Sequence, residues 1–275
     1  SGMKPTVLVD ADLTKAVRTY ERCGVDASHI VSTTDPAELS EALDQGARVA
    51  TSDGLLAASP PVDVVIDATG DPEAAACHAW KSIGAGNDVV MVSVEVDATV
   101  GPLLSQYASG MGVAYSLAYG DEPAQVIELV DWARSSGFEV VAAGQGTELS
   151  FDKHGSHEDS LERYGVTDEF IRQNDPSPEM YNTFLDGTKV AIELCAAANA
   201  TGLRADDGGM HMPVTDREGL LETLIPKSAG GALQRKGVID AVTPSGYRNP
   251  SAFVITRVEN PFTRRYLQNR YNILT

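Results

Sequence analysis

The chain has 275 residues, with 39 acidic against 21 basic side chains and a formal net charge of −18 at pH 7. That balance argues against nucleic acid as a partner, since phosphate binding calls for concentrated Lys and Arg, and no apolar run of about 18 residues offers a membrane-spanning helix. With 43% hydrophobic residues and 25 glycines, the composition is that of a globular chain long enough for two domains. We expect a soluble, cytoplasmic homo-oligomer acting on a small molecule. Cys23, Cys77 and Cys195 lack metal-type spacing and fall in expected helices, which reads as buried free thiols.

From Lys4 to Asp10 a β-branched run, Thr-Val-Leu-Val, ends in Asp10-Ala11-Asp12, a strand followed by a helix start; the helix runs to Cys23-Gly24. His29 to Ser32 is a second strand, and Asp35-Pro36 opens a helix through Leu43 with aspartate as cap and proline first inside. Val62 to Ala68 is a continuous apolar strand of the kind buried on both faces, followed by Thr69-Gly70-Asp71-Pro72 and a helix to about Ile83. Strands at Asp88 to Ser93, Val113 to Ser116 and Glu139 to Ala143 follow, with a helix from about Pro123 to Ser135. This alternation predicts a doubly wound parallel sheet, a Rossmann-like α/β dinucleotide-binding domain over about residues 1–120.

After Gly144 the texture changes. A polar stretch from Gln145 to Glu162 precedes helices at Asp168 to Gln173 and Pro178 to Ala200, and the segment from Gly237 to Arg257 offers two strands around a Pro-Ser-Gly turn. A second, α+β substrate and catalytic domain is expected over residues 121–275, with the boundary between Ser116 and Gly144.

In an open parallel sheet, ligands bind at the carboxyl ends of the strands. Asp10 stands at such an end, where a carboxylate holds a ribose 2′-hydroxyl and repels a 2′-phosphate, favouring NAD over NADP; a plain helix cap, as at Asp12, is the competing reading. Thr69-Gly70 follows the strand ending at Ala68 in the same way, giving a hydroxyl and a close backbone approach. The G-x-G-x-x-G string expected between the first strand and first helix does not occur before Asp10. Gly84-Ala85-Gly86 and Gly144-Gln145-Gly146 lack the strand-to-helix context. Either the chain begins at the second strand of such a fold, or the domain binds no dinucleotide.

Between Tyr181 and Leu203 an Ala-rich helical run carries Asp186, Lys189 and Glu193 at spacings of three and four, which places them on one helix face among apolar flanks. Buried charge needs a partner or a task. The ladder is either catalytic or a structural ion-pair network. Glu95 with Asp97 and Asp121 with Glu122 could hold a divalent ion, although helix caps account for Asp97 and Asp121, and no metal is assigned. His154 and His157 lie beside Lys153 in a polar loop, and Arg264, Arg265 and Arg270 read as cations solvating a terminal helix.

The segments Val62 to Gly70, Glu95 to Leu104, Gly120 to Ala124, Gly137 to Gly144 and above all Phe184-Leu185-Asp186-Gly187-Thr188-Lys189 resemble the homoserine-dehydrogenase-like oxidoreductases. Those enzymes often carry a C-terminal SAF domain, and the group includes 1-deoxy-D-xylulose 5-phosphate reductoisomerase-like members. The resemblance spans about Val7 to Arg265. It implies a Gly-rich βα unit before the strand at Thr6 to Asp10 and further sequence, including the SAF module, beyond Thr275. It also implies that Asp186 and Lys189 bind substrate and relay a proton while hydride moves to nicotinamide, with Glu193 pairing the lysine. Here Asp186 and Lys189 are three apart where homoserine dehydrogenases use four, and Val94-Glu95 stands where those enzymes carry a lysine, which points away from homoserine as substrate. Asp10, Thr69, Gly70, Val94 and Glu95 are then the candidate contacts to NAD or NADP.

The activity implied is hydride transfer between nicotinamide and a small hydroxy acid, polyol or sugar phosphate. The alternatives are a reductoisomerase-like enzyme using a divalent metal, and a non-catalytic ligand-binding or regulatory module on the same fold.

Overall fold

A computed structural model describes residues 2–58, 62–152, 154–244, 252–271 and 273. The chain divides into two compact units, Ser1–Ala118 and Tyr119–Thr275. None of the helices among the described residues is long and apolar enough to cross a membrane.

The first unit is parallel α/β. Its elements are β1 (Val7–Val9), α1 (Leu13–Arg22), β2 (Ile30–Ser32), α2 (Pro36–Asp44), β3 (Arg48–Thr51), α3 (Gly54–Ala57), β4 (Val64–Asp67), α4 (Pro72–Gly84), β5 (Asp88–Met91), α5 (Val94–Met111) and β6 (Tyr115–Leu117). The first four helices each begin on an aspartate whose carboxylate accepts backbone N–H bonds, Asp12, Asp35, Asp53 and Asp71, with Pro36 and Pro72 in the first turn of α2 and α4. These caps satisfy donors the helix itself cannot, and their repetition explains why helix starts here are readable from sequence.

The strands form two three-stranded sheets, ordered β1-β3-β2 and β4-β5-β6, with every pairing parallel. β3 and α5 are additions to the sequence reading. The expectation that the strand around Val62 to Ala68 is buried on both faces does not hold: Val64 is 38% and Ile66 56% exposed. β4 is the end strand of its sheet, α4 packs against it, and these two side chains stay exposed among the described residues. The core of this half is Ala75, Ala79 and Ile83 of α4 against Val89 and Met91 of β5 and Leu104 and Ala108 of α5.

The second unit contains α6 (Glu122–Ser135), β7 (Glu139–Gly146), α7 (His157–Arg163), α8 (Asp168–Asn174), α9 (Pro178–Asp186), α10 (Thr188–Thr201), β8 (Val214–Thr215), α11 (Leu220–Thr223), β9 (Val238–Pro244), β10 (Phe253–Arg257) and α12 (Pro261–Tyr271). Its four-stranded sheet runs β10-β7-β9-β8, with β7 parallel to β9 and antiparallel to β10. Val126 and Val130 of α6 and Val190 and Leu194 of α10 pack with Val140 and Ala143 of β7 on one face, while Leu220 and Leu224 pack with Val141, Val238 and Val242 on the other. The predicted Pro-Ser-Gly turn falls largely outside the described residues.

One expected helix is two. Gly187 adopts φ +85°, and the Phe151 ring lies 3.2 Å from where a Cβ would sit, so the backbone turns out of the helix between α9 and α10. The cysteines also depart from the expected burial, because Cys23, Cys77 and Cys195 stand at exposed positions.

Candidate active site

The break at Gly187 alters the charge ladder. Asp186 is the last residue of α9, and its carboxylate accepts from the backbone N–H of Thr188 at 2.8 Å and from Asn182 Nδ2 at 3.4 Å. It therefore closes the turn into α10 instead of stacking on one continuous helix face with Lys189 and Glu193. Those two do share α10, four residues apart, with Lys189 Nζ 3.9 Å from Glu193 Oε1.

Glu193 is only 3% exposed. Its other oxygen accepts from Gln145 Nε2 at 2.6 Å, across from β7. Gln145 reaches this position because β7 continues three residues beyond the expected strand, with Gly144 pressed so closely on the Asp240 carbonyl of β9 that no Cβ fits. Burial lifts the Glu193 carboxyl from 4.5 to about 7; the Gln145 bond and the Lys189 charge act against that rise, and Glu122 and Asp121 add to it.

Asp121 and Glu122 open α6. Asp121 occupies the cap position but makes no side-chain cap bond, contrary to the capping role read from the sequence. Instead Asp121, Glu122 and Glu193 each offer a carboxylate oxygen within 4.8 Å of the others. Desolvation raises the Glu122 carboxyl above its usual value, Asp121 contributes in the same direction and Lys189 opposes it. Gln145 is 2% exposed, and its Oε1 is buried with no hydrogen-bond partner among the described residues. Three carboxylates thus meet, Lys189 acts on two of them, and the Gln145 amide that holds Glu193 keeps an oxygen without a partner among the described residues.

In the first unit, the sequence-predicted cofactor residues stand at carboxyl ends of parallel strands. Asp10 follows β1 and accepts from the Asp12 N–H at 2.8 Å, while Asp12 itself caps α1. Thr69 and Gly70 follow β4, with Gly70 at φ +71°. They are held by a residue the sequence reading did not single out: Asp67 accepts from the Thr69 N–H at 3.2 Å, from Ser93 Oγ at 2.8 Å, and faces His78 Nδ1 at 2.9 Å. Ser93 in turn receives the Gly70 N–H at 3.4 Å. Ser93 precedes α5 without capping it through its side chain.

Val94 and Glu95 form the first turn of α5; the Val94 side chain is fully buried, which leaves its backbone as the part that can face a ligand. The second acidic pair offered by the sequence is Glu95 with Asp97, both in the first turn of α5. Asp97 is buried one turn into α5 and accepts from Tyr115 OH at 3.0 Å, so it is neither a helix cap nor an open ligand at a strand end. Burial raises its carboxyl, against the Tyr115 bond. His154 donates its backbone N–H to Asp152 and His157 begins α7, while Lys153 lies outside the described residues.

The segment 120–273, more than half of the chain, matches the family described as oxidoreductase DRL, catalytic domain. The chain belongs to that family. This agrees with the oxidoreductase resemblance read from Gly120 to Ala124, Gly137 to Gly144 and Phe184 to Lys189. No curated protein matches the chain.

Among solved structures, it is similar to 1-deoxy-D-xylulose 5-phosphate reductoisomerase from Zymomonas mobilis in complex with NADPH, at 16% identity and TM-score 0.43, covering 72% of this chain and 50% of that one. It is also similar to a homoserine dehydrogenase from Thiobacillus denitrificans, at 18% identity and TM-score 0.37, covering 74% and 50%. An NAD binding oxidoreductase from Klebsiella pneumoniae gives 18% identity and TM-score 0.32, covering 66% and 52%. The chain spans about half the length of each of these structures.

Proposed function

We propose that the chain is the catalytic part of an NAD(P)-dependent oxidoreductase that moves a hydride between nicotinamide and a small hydroxy acid, polyol or sugar phosphate. The observation that carries this reading is the buried Glu193 carboxyl, tuned to about 7, gripped by Gln145 and faced by Lys189. A carboxyl with a pKa near the operating pH is suited to accept and return a proton. The sequence reading gave the proton to Lys189; we now give it to Glu193.

In the oxidation direction the substrate hydroxyl loses its proton to the Glu193 carboxylate as its carbon loses hydride and becomes a carbonyl. Lys189 stabilises negative charge developing on that oxygen. Asp186 acts by fixing the first turn of α10, and with it the position of Lys189. The bound nicotinamide supplies the hydride acceptor or donor.

For the dinucleotide, the first unit offers a fitting set: the left-handed Gly70, the Thr69 hydroxyl, the Asp10 carboxylate, and the first-turn backbone at Val94 and Glu95, where an α-helix N-terminus favours an anion. Asp10 supports NAD over NADP.

A second reading, a reductoisomerase-like reaction assisted by a divalent cation, is favoured by one observation: Gln145, whose Nε2 binds one of three clustered carboxylates, keeps a buried Oε1 without a partner among the described residues. An all-oxygen donor set suits a hard cation, and Asp121, Glu122, Glu193 and Gln145 would hold it. Such an ion supplies Lewis-acid polarisation of a substrate oxygen.

The deciding experiment is Lys189→Ala assayed on the substrate found by screening hydroxy acids, polyols and sugar phosphates with both cofactors. Turnover is expected to fall by roughly 10²- to 10⁴-fold, with NAD(P)H fluorescence titration unchanged. Undiminished turnover removes Lys189 from the chemistry, and absence of any nicotinamide binding would favour a non-catalytic module.

A further inference from the structure

We propose that His78, working through Asp67, is a positioning residue for the two turns that receive the dinucleotide; this rests on the nicotinamide reading above. Asp67 ends β4 and is 4% exposed. A carboxylate buried to that degree is stable only with its oxygens paired. Its Oδ1 accepts from Ser93 Oγ at 2.8 Å and from the Thr69 N–H and Thr69 Oγ1, both at 3.2 Å. Its Oδ2 faces His78 Nδ1 at 2.9 Å, and a carboxylate can only accept, so that ring nitrogen carries the hydrogen. Among the described residues, His78 is the one basic side chain paired with Asp67.

The network joins two strand ends. Thr69 and Gly70 follow β4, Ser93 follows β5, and Ser93 Oγ also receives the Gly70 N–H at 3.4 Å. Helix capping does not account for it, since Asp71 caps α4 and Ser93 makes no side-chain cap bond to α5. Nor is it a nucleophile with its base, because Ser93 Oγ donates to Asp67. Above the network the space is open: Thr69, Gly70 and Asp71 are exposed, and a Cβ on left-handed Gly70 would meet nothing within 4 Å. A buried polar tie beneath an exposed turn, at the carboxyl end of a parallel sheet, fixes where that turn's N–H and hydroxyl groups stand when a ligand arrives.

The seat of His78 supports the same assignment. Its side chain is 15% exposed and lies against the backbone of Gly54, the first residue of α3. No left-handed backbone calls for a glycine there, but a Cβ would fall on the His78 ring. Gly54 therefore keeps room for the imidazole, and a merely apolar contact between α3 and α4 would have no need of that room.

NADH and NADPH fluorescence titrations of the full chain test this. His78→Ala is expected to weaken binding of the preferred dinucleotide about tenfold or more, the effect of one lost hydrogen bond to a charged group. His78→Asn, whose amide nitrogen takes the place of Nδ1, is expected to restore most of that affinity. Gly54→Ala displaces the ring while removing nothing, so it should weaken binding in the wild-type background and add no further loss to His78→Ala. In a Trp132→Phe background, Trp80, two residues beyond His78 on α4, reports urea unfolding of the first unit in the same samples. A purely structural pair would lower that stability and leave the affinity of the folded protein unchanged, which overturns the proposal. So does an affinity that Asn fails to restore or that Gly54→Ala fails to disturb; if His78→Ala does not fold, these two arms decide alone. A wild type that binds neither dinucleotide overturns the nicotinamide reading and this proposal with it, whereas wild-type binding that all three variants leave unchanged overturns this proposal only.

Discussion

Replacing Glu193 by Gln keeps the shape of the side chain and an oxygen for Gln145 Nε2 to donate to, while removing the titration. In the folded chain, burial raises the Glu193 carboxyl from 4.5 to about 7. Between those pH values the folded chain holds a proton that the unfolded chain has released, so stability falls as pH rises. The contribution is complete below pH 4.5 and is lost as pH passes through 7. Each tenfold difference in proton affinity between the folded and unfolded chain is worth about 1.4 kcal/mol, which brings the full change to about 3 kcal/mol. E193Q should therefore gain about 3 kcal/mol relative to wild type between pH 4.5 and pH 8.

Repulsion of Glu193 by Asp121 and Glu122 is relieved by the same substitution and acts in the same direction. The chain has two tryptophans, Trp80 in the first unit and Trp132 in the second, so in a Trp80→Phe background Trp132 fluorescence follows urea unfolding of the second unit alone. A chelator keeps cations off the carboxylates. A stability difference that stays flat within about 0.5 kcal/mol across this range would refute a raised Glu193, and with it the case for Glu193 as the proton carrier.

Gly187→Ala forces a side chain into a left-handed backbone against the Phe151 ring and should cost about 1–3 kcal/mol in urea unfolding. Tyr115→Phe removes the hydroxyl that donates to buried Asp97 and should cost about 1–3 kcal/mol at neutral pH. Because burial raises the Asp97 carboxyl, that loss should shrink in acid, where Asp97 is neutral in both proteins. Gln145→Leu fills the same space without the amide. If a divalent ion sits among Asp121, Glu122 and Glu193, Mn²⁺ affinity measured by electron paramagnetic resonance should drop about tenfold or more; equal affinity in both proteins would exclude Gln145 as a ligand.

The alternation of strands and helices was legible because aspartate caps and β-branched runs recur at short intervals, as at Asp35-Pro36 and Asp71-Pro72. What escaped were elements without such marks. β3 is Arg-Val-Ala-Thr, four residues without a consecutive β-branched pair, and α5 contains Gly101 and Pro102, which read as breakers although the helix runs through them. The hydrophobicity of β4 was read as two-sided burial, but an apolar run records only which side chains can be buried. Whether they are depends on what the next layer covers, and Val64 and Ile66 stay exposed.

The site was legible in its members and not in its joints. Spacing alone placed Asp186, Lys189 and Glu193 on one face, because a period of 3.6 presumes an unbroken helix. The sequence held the correction at Gly187, directly after Asp186, a common position for a residue that ends a helix. Gln145 was weighed only for the glycines around it. A lone amide within Val-Val-Ala-Ala-Gly-Gln-Gly is a polar group inside a strand of small apolar residues, and a buried polar group needs a partner. That demand links β7 to a charge on another element, and the partner proves to be Glu193, 48 residues later in the chain. Periodicity cannot see such a pair, since it compares neighbours within one element. Asking where each buried polar atom finds its partner can, and it still leaves Gln145 Oε1 unanswered, which is the reason a cation remains the second reading of this site.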